Sequence, residues 1–254
     1  MQYISVEEAI DTPGLRLVLS AGVPGPWGEA AKAILAHKNL RYTAVAQQGG
    51  GENTALRAWT GQNSAPVLVC DDLPPACHWF DLLLLAERLA PEIPVVPLDS
   101  AQRVAVLGLS ALIVGMDGFG WHRRLHMLAP MLTLAAPPEM IVRLGDKYGW
   151  SEQAHAAATG RVQSICAHLD QTLARQEAAG SDYFVGDSVT AADFYWASFA
   201  SMLKPLPHAD CPMPDYMRTS YETADAATLA CLTPRLEAHR DRMYQRHITL
   251  PLDF

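Results

Sequence analysis

The sequence predicts two domains in tandem, an α/β domain over residues 1–93 and an all-helical domain over residues 100–254. Three observations carry that reading. In the first 50 residues a strand-forming apolar run, a helical-period stretch and a second strand-forming run follow one another at the spacing of a βαβ unit. Prolines at 91, 94 and 97 then interrupt the chain, each blocking helix continuation, and place a linker near 91–99. After Ser100 the apolar residues lose all two-residue alternation and recur at helical spacing. A length of 254 residues suits two domains, each large enough to bury its own core.

Residues 15–20 (LRLVLS) read as the first strand, ended by the cluster Gly22, Pro24, Gly25, Pro26. Residues 27–39 place Ala30, Ala33, Ile34 and His37 on one helical face, with Pro26 suited to the first turn. A second strand over 41–46 completes the unit and should lie parallel to the first. A glycine loop at 49–51, a short helix near 54–59 and a strand after Pro66 follow. The Asp71-Asp72 turn with Pro74-Pro75 implies a hairpin, and residues 79–89 form an apolar helix expected to be buried on most of its surface. The order is β-α-β-α-β-β-α. Helices are expected beyond it at about 100–128, 152–178, 191–203, 226–232 and 234–247, with loops at Pro137-Pro138 and 204–215.

Net charge is −8, divided equally between residues 1–97 and 98–254. No basic cluster exceeds Arg123-Arg124, which excludes the positive stripe of a nucleic-acid binder. The N-terminus carries acids where an export signal needs bases, and the longest uncharged apolar run, 104–116, is shorter than the roughly 20 residues of a membrane span. The expectation is a soluble, cytoplasmic protein with no membrane partner. Five cysteines without a CxxC pair read as reduced thiols. The pairs His122/His126 and His208/Cys211 lack a third ligand nearby, so no metal is expected.

The segment GDSVTAADF at 186–194 holds a capping box, Thr190 with Asp193, and a hydrophobic staple, Val189 on Phe194. Together with Ser64-Ala65-Pro66 before a strand and the order of elements, it resembles the glutathione transferase family over nearly the whole chain. The resemblance implies a thioredoxin-like N-terminal domain with a helical-bundle C-terminal domain. It implies that Pro66 is cis and that Ala65, beside Ser64, offers its backbone amide and carbonyl to the cysteinyl part of glutathione. It matches Asp81-Leu82 to the family's acid and serine at the start of the third helix, with the hydroxyl missing, though Asp81 serves equally as a first-turn acid for the helix dipole. Where the family keeps a Tyr, Ser or Cys, this chain has Gly25-Pro26-Trp27-Gly28. Ser20 lies one residue from the tyrosine position and either bonds a thiolate or caps the turn. Trp27 either shields the sulfur by its ring or indole N–H or simply packs.

The resemblance further implies a pocket between the domains for a second substrate. Its wall is expected in residues 115–124, through Met116, Phe119, Trp121 and Arg124, with Tyr195 within reach. The other reading puts these aromatics and Tyr195 in the core and leaves Arg123 and Arg124 solvated or paired with acids across a subunit interface. The implied protein is a homodimeric enzyme that joins glutathione, as cosubstrate and without a metal, to a small hydrophobic electrophile. A non-catalytic ligand-binding relative is the alternative, and a glutathione-dependent isomerase using Arg124 as a carboxylate clamp is a third.

Overall fold

The computed structural model describes residues 1–71 and 73–254. The described residues of the N-terminal half form a three-stranded sheet in the order β2-β1-β3, from β1 (Leu15–Ser20), β2 (Thr43–Gln47) and β3 (Val67–Cys70). As expected, β1 and β2 are parallel, with Val18 opposite Val45, while β3 runs antiparallel with Val18 opposite Val67. Alternation on β1 sends Val18 to one face and Leu17 and Leu19 to the other. Helix α1 (Val6–Ile10) and α3 (Thr54–Thr60) cover the Val18 face through Val6, Ala9 and Leu56. Helices α2 (Pro26–His37) and α4 (Trp79–Leu89) pack on the opposite side through Ile34 and Leu83.

The sequence reading missed α1, a five-residue helix held by a capping box in which Ser5 and Glu8 bond each other's amides at 2.8 and 3.1 Å. The expected hairpin shrinks to one antiparallel bridge between Leu68 and Ala76, with N···O distances of 3.0 and 2.8 Å. Pro74 and Pro75 have no N–H to extend a ladder; Asp72, in the expected turn, lies outside the described residues. Helix α4 is also less covered than expected, since Leu82, Leu83 and Ala86 are buried while Leu84 and Leu85 are half-buried.

Residues 91–99 are clamped to both halves of the chain. Val95 and Val96 are buried, Ala191 N–H bonds the Val95 carbonyl at 2.8 Å, and the Val95 N–H reaches the Glu87 carboxylate at 3.1 Å. That carboxylate also pairs with the buried Lys38 ammonium at 2.7 Å, which bonds the Ile93 carbonyl as well. The main apolar cluster consequently runs on from Leu17 and Leu83 to Phe194 and Trp196.

The helical half contains α5 (Ser100–Val114), α6 (Phe119–Leu132), α7 (Glu139–Tyr148), α8 (Glu152–Ala178), α9 (Ala191–Phe199), α10 (Asp215–Glu222), α11 (Ala226–Leu229) and α12 (Pro234–His247). The single helix expected over 100–128 is two. A Cβ on Gly115 would stand 2.7 Å from the Ala111 carbonyl oxygen, and Asp117 adopts a left-handed φ of 59°, so the chain turns there. Residues 100–132 are apolar and long enough to cross a membrane by composition, yet here they form two helices on either side of this turn, half buried against the rest of the protein. Helices α7 and α10 were not expected.

Helix α9 is buried at every position and forms the expected capping box. Asp193 Oδ2 accepts from the Thr190 amide and hydroxyl at 2.8 and 2.7 Å, and Oδ1 accepts from Phe184 N–H and lies 2.9 Å from His239 Nε2. Asp193 is thus a buried hub that ties α9 to α12 and to the preceding loop.

Candidate functional site

A cleft of about 570 Å³ separates the sheet domain from α6 and α7. On the sheet side, Ser64, Ala65 and Pro66 line it, and the Ala65–Pro66 bond is cis. Neither the N–H nor the C=O of Ala65 has a hydrogen-bond partner among the described residues. Two main-chain groups next to the β3 edge therefore remain free to bind a peptide-like ligand.

Ser20 also lines the cleft, at the end of β1. Its Oγ accepts a hydrogen bond from the Gln47 side-chain amide, and Asn53 in turn donates to Gln47 Oε1 at 2.9 Å. With its lone pair engaged, the Ser20 hydroxyl has its proton left to donate. Gln47, at the end of β2, was not singled out from the sequence; only its parallel pairing with Ser20 brings the two together.

Trp27 lines the cleft, but its indole N–H is committed to the Val114 carbonyl at 3.1 Å. The expectation of an indole N–H on sulfur is corrected to a ring facing the cleft. Its edge packs on Phe199 at 4.7 Å, and this fit needs Gly120, because a Cβ there would overlap the Phe199 ring.

The start of α4 differs from the expected match. Its N-cap is His78, so Asp81 sits at the third helical position, is exposed and does not line the cleft. Leu82 does line it, but its N–H already bonds the His78 carbonyl at 3.0 Å. His78 and Trp79 occupy the helix start beside the cleft, and among the described residues no side chain caps its first-turn amides. Cys77 also faces the cleft. Its thiol is pushed up by burial and by Asp81 and lies 3.4 Å from the Thr60 carbonyl, which leaves it a poor nucleophile.

On the helical side Met116, Trp121 and Arg124 line the cleft, whereas Phe119 does not. Phe119 is wholly buried, 5.4 Å from Trp196, as the core reading held. Trp121, Arg124 and Leu128 recur on one face of α6, while Phe119 and Arg123 point behind it. Arg123 is not solvated and Arg124 is half-buried, and neither pairs with an acid among the described residues of this chain. Arg123 is fully buried and donates to the Met202 carbonyl at 3.0 and 2.7 Å; burial and Arg124 pull it down to about 10. Arg124 stacks its guanidinium 5.7 Å from both the Trp27 and Tyr221 rings. Tyr195 reaches the cleft, and its hydroxyl lies 3.5 Å from the Trp79 carbonyl.

Helix α7 adds Arg143, Leu144, Lys147 and Tyr148, none of them singled out from the sequence. A signal was present: Pro138 before the helix, a left-handed Gly149 after it, and Ile141, Leu144 and Tyr148 at helical spacing. Among the described residues no group of His, Cys, Asp and Glu is arranged to hold a metal.

No protein-family model matches the sequence, and no curated protein matches it. Solved structures match along most of its length. A glutathione S-transferase of Methylobacterium radiotolerans, in complex with glutathione sulfonate, is similar with a TM-score of 0.61 at 18% identity over 91% of each chain. The nitrogen regulation fragment of the yeast prion protein Ure2p gives 0.63 at 13% identity, over 97% of this chain and 96% of that one. The Tau class glutathione S-transferase of mango, Mangifera indica, gives 0.54 at 18% identity, over 93% and 99%. The chain has the glutathione S-transferase fold, a thioredoxin-like domain followed by a helical one.

Proposed function

We propose that the protein binds glutathione along the sheet side of the cleft and joins its sulfur to a small hydrophobic electrophile held on the helical side. The observation that carries this is that the N–H and C=O of Ala65 have no partner among the described residues, which supports their pairing with the cysteinyl part of a peptide ligand. The uncapped start of α4 suits the γ-glutamyl carboxylate. The solved neighbours include one crystallised with glutathione sulfonate, which supports the same ligand.

In this reading Ser20 donates its hydroxyl proton to the glutathione sulfur and favours the thiolate. The thiol proton passes to solvent, the sulfur bonds the electrophilic carbon, and the leaving group departs with its electron pair. Most of the rate then comes from holding the two reactants together in an apolar space. Glutathione is the cosubstrate and no metal takes part; a cytoplasmic homodimer belongs to the same proposal.

A second reading, ligand binding without turnover, is favoured by Gly25 at the place where a thiol would stand and by the raised Cys77 thiol. Calorimetric titration with glutathione, followed by turnover of 1-chloro-2,4-dinitrobenzene, separates the two. Binding with turnover that weakens in Ser20→Ala supports the transferase. Binding without turnover of any aryl halide supports the ligand-binding protein, and no binding at all sinks both.

A further inference from the structure

Arg124 lies half-buried on the cleft face of α6. Its Nη2 reaches the Tyr221 hydroxyl at 3.4 Å and Nη1 reaches the Met127 sulfur at 4.0 Å. Its Nε is shut off from solvent and bonds nothing among the described residues. Lys147, one helix away on α7, contacts the Tyr148 ring at 5.5 Å and forms no ion pair among those residues. Most other cations behave differently: Arg143 pairs with Glu139 at 3.1 Å, Arg235 with Asp170 at 2.8 Å and Arg246 with Asp182 at 2.8 Å.

The acids do not redress the balance. Glu29, the carboxylate that lines the cleft, belongs to α2 and is paired with Lys32 at 2.8 Å. Although Lys147 is exposed as a whole residue, desolvation of its ammonium and the neighbouring Arg124 charge bring it down to about 8. Two cations that repel each other beside an apolar space raise the free energy of the empty site, and an anion placed between them lowers it. Aromatic rings adjoin the two cations: Trp121 packs edge-on against Tyr148 at 4.7 Å, and Trp27 lies 6.1 Å from Tyr148.

We propose that Arg124 and Lys147 form an anion subsite in the helical wall, so that the second ligand is a flat aromatic body carrying one carboxylate or sulfonate. The guanidinium fork donates two parallel hydrogen bonds to such a group, and Lys147 adds a point charge. As the second-substrate end of the proposed transferase site, this rests on that reading, but the charge preference is measured on the protein alone so that the two fail separately.

The test is quenching of tryptophan fluorescence by 2-naphthoate, by 2-naphthalenesulfonate and by neutral 2-naphthamide, without glutathione. Both anions should bind about tenfold tighter than the amide. Arg124→Leu should remove that preference, Arg124→Lys should restore part of it, and Lys147→Met, at an exposed position that does not endanger folding, should reduce it a few-fold. Equal binding of the three probes, or a preference intact in both Arg124→Leu and Lys147→Met, overturns the subsite. Glutathione conjugation of 4-chloro-3-nitrobenzoate and 4-chloro-3-nitrobenzamide is then compared; in each, sulfur bonds the ring carbon and chloride leaves with the electron pair. Anion preference without conjugation of either halide keeps the subsite and removes the transferase. Conjugation of both at equal kcat/KM without anion preference does the reverse.

Discussion

The two walls of the cleft are built by different means. On the sheet side the cleft-lining groups are the Ala65 main chain and a serine hydroxyl oriented by Gln47 across parallel strands. On the helical side they are side-chain charges and aromatic faces from α6 and α7. Main-chain groups are placed by strand pairing and hardly depend on which side chains surround them. Charges and rings depend on single residues, and one substitution removes them. The difference teaches that the fold itself sets the sheet wall, while a few helical residues set the charge and shape of the wall opposite. Trp27 and Gly120 form the seam, since the tryptophan of α2 lies over Phe199 only because α6 has no Cβ at 120.

The comparison breaks most sharply if the walls lose their common support. Asp193→Ala leaves Thr190, Phe184 N–H and His239 without their buried partner. It should cost about 3–5 kcal/mol of stability in urea unfolding; a loss below about 1 kcal/mol would remove Asp193 as the hub. Disturbing the seam is a smaller change. Gly120→Ala forces the Phe199 ring and Trp27 apart, and thermal unfolding should show about 1–3 kcal/mol lost, together with altered near-ultraviolet dichroism.

The helical wall should respond to acid. Behind it, His126 accepts from Arg123 at Nδ1 (3.2 Å) and lies 3.2 Å from the Thr159 hydroxyl at Nε2. Burial, Arg123 and His155 hold it down to about 4 from its usual value. A depressed histidine stays neutral in the folded protein while the unfolded chain takes up a proton. Its contribution is therefore complete above about pH 6.5, lost as pH falls towards 4, and constant below that. Allowing for its partial exposure, the slope should amount to about 1–2 kcal/mol. His126→Gln should flatten the unfolding free energy across that window, and an unchanged slope would assign it to His37 and His247, which burial also lowers.

The smallest effect belongs to the sheet wall. Ser20→Ala should weaken glutathione by less than about 1 kcal/mol, because the main chain holds the peptide, yet raise the pKa of the bound thiol. Calorimetry gives the first quantity and thiolate absorbance against pH the second. A large loss of affinity without a thiol shift would make Ser20 a binding group and not an activating one.

Much of the sheet domain was legible because its signals are local. The strand-forming run 15–20 marked β1, and the proline after Ala65 marked the start of β3. Thr190 and Asp193 are three residues apart, so their capping box is visible without a fold. Other signals were local but weak. Helix α7 follows two prolines that read as a loop, although Gly149 and the spacing of Ile141, Leu144 and Tyr148 are helical signals. Family spacing put Asp81 against the cleft, whereas the helix start at residue 79, also read from the sequence, leaves it the exposed first-turn acid of the other reading.

By itself the sequence determined the βαβ start, the change from mixed to all-helical secondary structure and the absence of a nucleophile at Gly25, all of which follow from residue type and short-range period. Tertiary structure alone decided that Phe119 turns inward while Arg124 turns to the cleft, that the Trp27 indole is spent on Val114, and that Arg124 and Lys147 face one space. Those outcomes depend on contacts between residues far apart in the chain, and no local pattern records which of several compatible helix faces finds its partner.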